Sequence, residues 1–166
     1  MEVWTIGHSN HSFEKFLGLL KQHKITMLVD VRSKPSSRFT HFIRDNLIRG
    51  VRSNDIDYRY GGNVLGGMGN VQVTSSLFIT KMDTILTLTA EGHRVAMMCS
   101  EGKPCECHRA GKLTAWLHRN RPDVKTTHIM PNGDLIDARE YEPKVNADVT
   151  WPDFASTMKG QGSLPL

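Results

Sequence analysis

One short segment contains all three cysteines of the chain together with other groups able to do chemistry: Cys99, Glu101, Cys105, Cys107, His108 and Arg109. An apolar run ends at Cys99, which predicts a buried strand, and a loop is favoured where Gly102 and Pro104 follow. A thiolate is a nucleophile, and a nearby histidine or arginine favours it over the thiol. We therefore expect Cys99, Glu101, Cys107 and His108 to be catalytic. The alternative is that Cys99 is a small buried residue that ends a strand.

A zinc site is a second interpretation of the same segment. Thiolate and imidazole are the ligands that zinc prefers, so the candidates are Cys99, Cys105, Cys107 and His108. His8 or His128 would be available as a remote ligand. The spacing Cys-x-Cys-His is not that of a usual zinc knuckle, and the chain has no second pair of cysteines. The sequence therefore predicts no cofactor, with zinc as the alternative.

Polar residues also follow two other predicted strands. His8, Ser9 and Asn10 come after the first, where His8 is a candidate general acid–base and the other two are candidate ligand-binding groups. The second strand is followed by Arg32, Lys34 and Arg38, which together with Arg109 are predicted to bind phosphate or carboxylate. Two alternatives stand beside these roles. His8 would cap a helix or fill a polar gap, and Arg32 would form a buried pair with Asp30.

Regular alternation of apolar segments predicts the elements that position these residues. Strands are expected at residues 3–6, 26–31, 58–60, 94–99 and 126–130, the last followed by the turn signal Asn132-Gly133. Helices are expected from 13 to about 23 after a Ser12 cap, loosely over 39–48, after a cap at Ser75 or Ser76 as far as Gly92, and over about 108–120. The five glycines of residues 61–70 predict a flexible excursion or lid outside the core.

This order of elements predicts an α/β fold, a single three-layer domain with a mostly parallel sheet of about five strands and helices on both faces. Loops at the carboxyl ends of parallel strands meet at one edge of a sheet, so the polar segments named above should converge there. We expect the domain to span residues 1–142. Residues 143–166 are expected to be a partly loose extension with Trp151 and Phe154 as docking points.

Composition narrows the class of protein. The chain has 166 residues, 39% of them hydrophobic, and a net charge of +4, which permits an anionic partner without demanding one. No apolar run approaches the roughly 20 residues of a membrane span, and the first residues do not resemble a signal peptide. Three cysteines, two of them nearly adjacent, do not fit a disulfide framework. We expect a cytoplasmic protein with no membrane partner, and the sequence gives no oligomeric state.

The polar segments together resemble the DUF488 family. The resemblance rests on Gly7-His8-Ser9-Asn10, on Asp30-Val31-Arg32, and on Cys99-x-Glu101 followed by Cys107-His108-Arg109, and it extends from about residue 3 to residue 136. It implies a compact α/β domain of bacterial and archaeal proteins and leaves the activity open. One departure is visible. The usual pattern has no cysteine at the position of Cys105, which argues against a role for this residue.

Three functions are compatible with these residues. The first is an enzyme that acts on a phosphate-bearing substrate, a nucleotide or a nucleic-acid base, through the Cys, Glu, His and Arg groups. The second is rhodanese-like sulfur transfer through a cysteine persulfide, although Arg109 lies further from Cys99 than a rhodanese loop allows. The third is a non-catalytic nucleic-acid-binding module that uses the basic segment 32–59, for which a solvated surface is the simpler explanation. We favour the first.

Overall fold

The computed structural model of the protein describes residues 1–68 and 71–141. Six strands form one sheet: β1 (Glu2–Gly7), β2 (Met27–Asp30), β3 (Asp57–Tyr60), β4 (Val95–Cys99), β5 (Lys125–Ile129) and β6 (Leu135–Asp137). Their order in the sheet is β3-β2-β4-β1-β5-β6. The first five are parallel to their neighbours, and β6 is antiparallel to β5. The predicted α/β class with a mostly parallel sheet is confirmed.

Helices and helical turns connect the strands. They are α1 (Phe13–Gln22), α2 (Arg44–Arg52), α3 (Gly62–Leu65), α4 (Ser76–Ala90), α5 (Ala115–Asn120) and α6 (Ala138–Tyr141), with 3-10 turns at Thr40–Phe42 and Pro104–Glu106 and a π-helical segment at Arg109–Thr114. The predicted caps are present. Ser12 accepts from Lys15 N and Ser75 accepts from Phe78 N, so each satisfies a backbone donor that the helix leaves free.

The central strands are buried on both faces, which is why they are apolar without alternation. Val29, Met97 and Cys99 pack with side chains of α4 and α5 on one face. Leu28 and Met98 pack with side chains of α1 and α2 on the other face. The two cores therefore hold β4 in the middle of the molecule, with its carboxyl end fixed in position.

The glycine segment differs from its prediction as a flexible excursion outside the core. Residues 62–65 form helix α3, and Val64 and Leu65 are buried in the core. A Cβ at Gly62 would lie 1.8 Å from the carbonyl oxygen of Arg32, so this glycine permits close packing of two backbones. The expectation of a segment outside the core is therefore wrong for residues 62–65, and residues 69 and 70 lie outside the described part.

Two further differences concern the end of the described chain. The strand predicted at 126–130 is not the last, because β6 follows the Asn132-Gly133 turn and pairs with β5. The helix predicted from about residue 108 begins as the π-helical segment and continues as α5. The predicted extension 143–166, with Trp151 and Phe154, lies outside the described residues. Within the described ranges, no helix has the length and apolar character needed to cross a membrane.

Candidate functional site at the carboxyl edge of the sheet

Backbone hydrogen bonds join the loops that follow the three central strands. His8 N donates to Cys99 O at 2.9 Å, and Ser9 N donates to Ser100 O at 2.8 Å. On the other side of β4, Val31 N donates to Met98 O at 2.9 Å. The predicted convergence at the carboxyl edge follows from the order β2-β4-β1, which places the cysteine loop between the other two.

Two cysteines and one histidine form the centre of this edge, and we refer to Cys99, Cys107 and His108 as the Cys-His cluster. His108 Nδ1 lies 3.6 Å from Cys99 Sγ and 3.7 Å from Cys107 Sγ. The other ring nitrogen, His108 Nε2, lies 3.2 Å from the carbonyl oxygen of Val31. A carbonyl oxygen only accepts, so Nε2 carries a proton, and Nδ1 faces the two sulfur atoms, where it accepts from a thiol when it is unprotonated and donates to a thiolate when it is protonated. All three side chains are buried.

The two thiols differ in their tendency to ionise. Hydrogen bonding from Cys107, followed by the hydrogen bond and charge of His108 and the charge of Arg109, holds the pKa of Cys99 well below its usual value. Burial and the negative charge of Cys99 raise the pKa of Cys107 well above its usual value. The pair therefore holds one negative charge, and Cys99 carries it.

Arg109 places a positive charge close to the two cysteines of the cluster. Its side chain is fully buried, and Nη2 donates to the carbonyl oxygen of Gly102 at 2.6 Å. Within residues 1–68 and 71–141, Nε and Nη1 of this guanidinium have no hydrogen-bond partner. The backbone N–H of Arg109 donates to Cys107 Sγ at 3.5 Å. A buried cation with unused donors favours a negative charge nearby, which the Cys99 thiolate provides.

Arg32 forms the buried pair that was the alternative to anion binding. Its Nη2 lies 2.6 Å from Asp30 Oδ2, and its Nε donates to Asp30 Oδ1 at 2.9 Å. Nη1 donates to the carbonyl oxygen of Phe42 at 2.9 Å, and Tyr58 Oη donates to Asp30 Oδ2 at 2.8 Å. These contacts fix the loop after β2. The geometry favours this positioning role, and anion binding by Arg32 stays a prediction.

His8 lies between this pair and the cysteine loop. Its ring stacks on Phe42 with 4.2 Å between centroids, and Nδ1 donates to Ser9 O at 2.8 Å. Nε2 lies 3.4 Å from Arg32 Nη1 and accepts from it. Burial, and to a smaller degree the charge of Arg32, lowers the pKa of His8 to about 4. His8 is therefore neutral near pH 7. It does not cap α1, since Ser12 does.

The other predicted site residues lie at the surface of this edge. Ser9 adopts a positive φ of 49° and lies beside exposed Asn10. Lys34 and Arg38 are exposed, and Arg38 lies 4.9 Å over the ring of Phe39. Partial loss of hydration and then the charge of Cys99 raise the pKa of the Glu101 carboxyl. No described contact joins Lys34 or Arg38 to the cluster, so their binding roles remain predictions.

The possible metal ligands are narrowed by the same geometry. Among the described residues, the only histidines, cysteines and acids whose ligand atoms gather closely enough for one ion are those of the Cys-His cluster, within 4.8 Å of one another. Cys105, His8 and His128 are outside this group, so Cys105 does not complete the predicted four-ligand set. The cluster could hold a metal ion.

Two residues make contacts at this edge of the sheet that the sequence does not predict. Tyr58 was expected only as part of a strand, and its contact with Asp30 depends on the pairing of β2 with β3. Lys112 is buried, and its Nζ donates to the carbonyl oxygen of Gly66 at 3.1 Å, which ties the glycine segment to the π-helical segment. At Gly67, a Cβ would come within 3.0 Å of His108 Cγ. No local pattern distinguishes Lys112 from a surface lysine.

The fold and the site together define an α/β protein with a buried Cys-Cys-His group at the carboxyl edge of a parallel sheet. The family model described as domain of unknown function DUF488 matches residues 12–72, which confirms the predicted resemblance to this family. The matched segment includes Asp30 and Arg32 but neither Gly7-His8-Ser9-Asn10 nor the cysteine loop, so the predicted extent of the resemblance over residues 3–136 stays a prediction. Searches of the curated proteins and of the solved structures gave no match.

Proposed function

We propose that the protein is an enzyme in which Cys99 is the nucleophile towards a phosphate-bearing substrate, a nucleotide or a nucleic-acid base. The observation that carries this proposal is the arrangement of Cys99, His108 and Val31. The thiol lies 3.6 Å from an imidazole nitrogen whose partner nitrogen is held by a backbone carbonyl. A nucleophile, a base and a group that orients the base are what covalent catalysis requires.

The reaction proceeds by displacement. The Cys99 thiolate, whose proton is held on His108 Nδ1, bonds to the electrophilic atom of the substrate, and the leaving group departs with the bonding electron pair. His108 then returns the proton to the leaving group. Water, or a second acceptor with a hydroxyl group, then gives a proton to His108 as it cleaves the bond to sulfur, which restores the thiolate. Arg109 stabilises the negative charge throughout, and exposed Lys34 and Arg38 are available for the phosphate.

Selective labelling of thiols tests this assignment. We expect one thiol to react rapidly with iodoacetamide near pH 7, with the label found on Cys99 by peptide mass analysis. Cys99→Ser should remove the rapid reaction and any turnover of nucleotides or phosphate esters. Cys105→Ser is the matched control, because it makes the same change in the same loop outside the cluster, and it should change neither. Rapid labelling that survives Cys99→Ser contradicts the proposal.

Sulfur transfer is the second candidate, and the lowered pKa of Cys99 favours it, because a persulfide forms by attack of a thiolate. Thiosulfate would pass its outer sulfur atom to the Cys99 thiolate, which releases sulfite and leaves a persulfide. Cyanide would then remove that sulfur atom as thiocyanate and restore the thiolate. Thiocyanate production that depends on Cys99 and not on Cys105 would support this candidate over the first.

Nucleic-acid binding without catalysis is the third candidate. Arg44, Arg49, Arg52 and Arg59 of the basic segment are exposed, whereas Phe42 and Tyr58 are buried and cannot stack on bases. A linear fall of log affinity with log salt, without turnover, would favour this candidate. The first two candidates need reduced thiols, which agrees with the cytoplasmic location that the cysteine count predicts.

A further inference from the structure

We propose that the Cys-His cluster is also a binding site for one Zn²⁺ ion, with Cys99 Sγ, Cys107 Sγ and His108 Nδ1 as protein ligands and a solvent molecule as the fourth. Three ligands from the protein and one from solvent are the usual set of an open zinc site. The ligands come from the end of β4 and from the residues just before the π-helical segment, so the ion would close the cysteine loop.

The spacing of the ligand atoms supports a tetrahedral ion. Bonds of about 2.3 Å to sulfur and about 2.0 Å to nitrogen at the tetrahedral angle place sulfur and nitrogen about 3.5 Å apart. The distances from His108 Nδ1 to Cys99 Sγ and Cys107 Sγ are 3.6 and 3.7 Å. Both distances are within about 0.2 Å of the sulfur–nitrogen edges of the tetrahedron, and all three ligand atoms lie within 4.8 Å of one another, so the ion can enter without a large movement of the ligands.

The groups around the cluster also suit a metal. The hydrogen bond from His108 Nε2 to Val31 O directs the lone pair of Nδ1 towards the sulfur atoms, as the partner of a metal-bound histidine usually does. The backbone N–H of Arg109 donates to Cys107 Sγ, which supports a thiolate at that sulfur atom. Two thiolates balance the charge of one Zn²⁺, so the buried group would be neutral overall.

Zinc and the proposed nucleophile use the same lone pairs. A zinc ion on Cys99 Sγ would block its attack on a substrate, and its bond to His108 Nδ1 would remove the base. Zinc binding itself does not depend on the proposed function. Only the inhibition of activity rests on it. We therefore expect a zinc-bound form that is unreactive and a metal-free form that is reactive.

Metal titration of the full-length chain tests the site. The protein is treated with a chelator under reducing conditions, dialysed and titrated with Zn²⁺ against a chromophoric competitor. We expect one ion per chain, with stoichiometric binding lost in Cys99→Ser and in Cys107→Ser and kept in Cys105→Ser. With Co²⁺ as the probe, the wild type should show sulfur-to-metal charge-transfer bands and intense visible bands typical of tetrahedral thiolate coordination. Because this spectrum is recorded on the wild type, it tests whether cysteine sulfur binds the metal even if the cysteine variants fail to fold.

Thiol labelling in the two forms separates this inference from the proposed function. Zinc should suppress the iodoacetamide reaction at Cys99 in proportion to its occupancy, and a chelator should restore it. Absence of stoichiometric binding, or binding that Cys107→Ser leaves unchanged, overturns the zinc site, whatever the reactivity of Cys99. Stoichiometric zinc with an unreactive Cys99 in the metal-free protein supports the site and overturns the proposed nucleophile.

Discussion

Asp30 and Arg32 show how single residues position the candidate site. The pair is almost fully buried, with side-chain exposures of 0% and 2%, and its oxygens and nitrogens are used by each other, by Tyr58 and by a backbone carbonyl. Burial of two charges costs solvation that their attraction only partly returns. The value of this pair therefore lies in holding the loop after β2 beside the cysteine loop.

The buried pair leads to a prediction about stability. Asp30→Asn leaves the guanidinium of Arg32 buried without a counter-charge, and we expect the free energy of unfolding to fall by about 3–5 kcal/mol. Urea denaturation followed by far-ultraviolet circular dichroism measures the change. The matched control is Asp83→Asn in the pair with Arg121, where the side chains are 46% and 39% exposed.

The control should lose less than about 1 kcal/mol, because water screens an exposed pair. Equal losses in the two variants would mean that the Asp30–Arg32 pair is as well hydrated as the surface pair. In that case Arg32 would regain its predicted role as an anion-binding residue.

At the scale of elements, the end of β1 must lie close to the cysteine loop. A Cβ built on Gly7 would lie 1.8 Å from the carbonyl oxygen of Glu101 and 2.5 Å from Arg109 Nη1. Gly7 also pairs with Cys99 across the parallel strands. Glycine is required at this position by contact rather than by backbone conformation, and a larger residue would separate β1 from the loop.

We therefore predict opposite effects for two glycine substitutions. Gly7→Ala should reduce the free energy of unfolding by about 1–3 kcal/mol or more, since a backbone atom must move. In Gly18→Ala, within α1, the new Cβ would meet nothing within 4 Å, and the change should stabilise the protein by about 0.5–1 kcal/mol. Thermal unfolding of both variants measures the difference. If Gly7→Ala leaves the free energy of unfolding unchanged, the cysteine loop does not lie in close contact with β1.

The sequence predicts elements well where the information is local. The strands ending at Asp30 and Cys99 are short apolar runs, and Ser12 and Ser75 cap their helices as expected. β6 was missed because it has three residues and forms only through pairing with β5. The π-helical segment carries no sequence signal of its own.

The candidate site likewise has some features that local sequence patterns predict and others that depend on contacts between distant elements. Proximity of Cys99, Cys107 and His108 follows from a strand end and a short loop, which local patterns reveal. The sequence allows Arg32 either to bind an anion or to pair with Asp30, because the choice depends on whether the arginine side chain is buried. The contact of Tyr58 with Asp30 and the buried position of Lys112 depend on how distant elements pack, and no pattern along the chain encodes these contacts.

At the scale of the whole molecule, two buried histidines couple stability to pH. His128, on β5, is fully buried and shares a hydrogen bond of 2.8 Å with Thr5 Oγ1. Burial, and then the charges of Arg109 and His118, lower its pKa to about 3. The pKa of His8 is lowered to about 4. Both are neutral in the folded protein at pH values where they bind a proton in the unfolded chain, whose histidines titrate near 6.5.

The free energy of unfolding should therefore fall as the pH is lowered from about 6.5. The reason is that His8 and His128 bind protons in the unfolded state at pH values where they do not bind them in the folded state. Each histidine contributes a slope of up to about 1.4 kcal/mol per pH unit until the pH approaches its folded pKa. Above about pH 6.5 the contribution is complete and the slope disappears. His128→Gln, which keeps an amide able to bond to Thr5, should reduce the slope between pH 6 and 5 by about 1.2 kcal/mol per unit. Urea denaturation at a series of pH values measures both slopes. If His128→Gln leaves the slope unchanged, His128 accepts a proton in the folded state, which contradicts its lowered pKa.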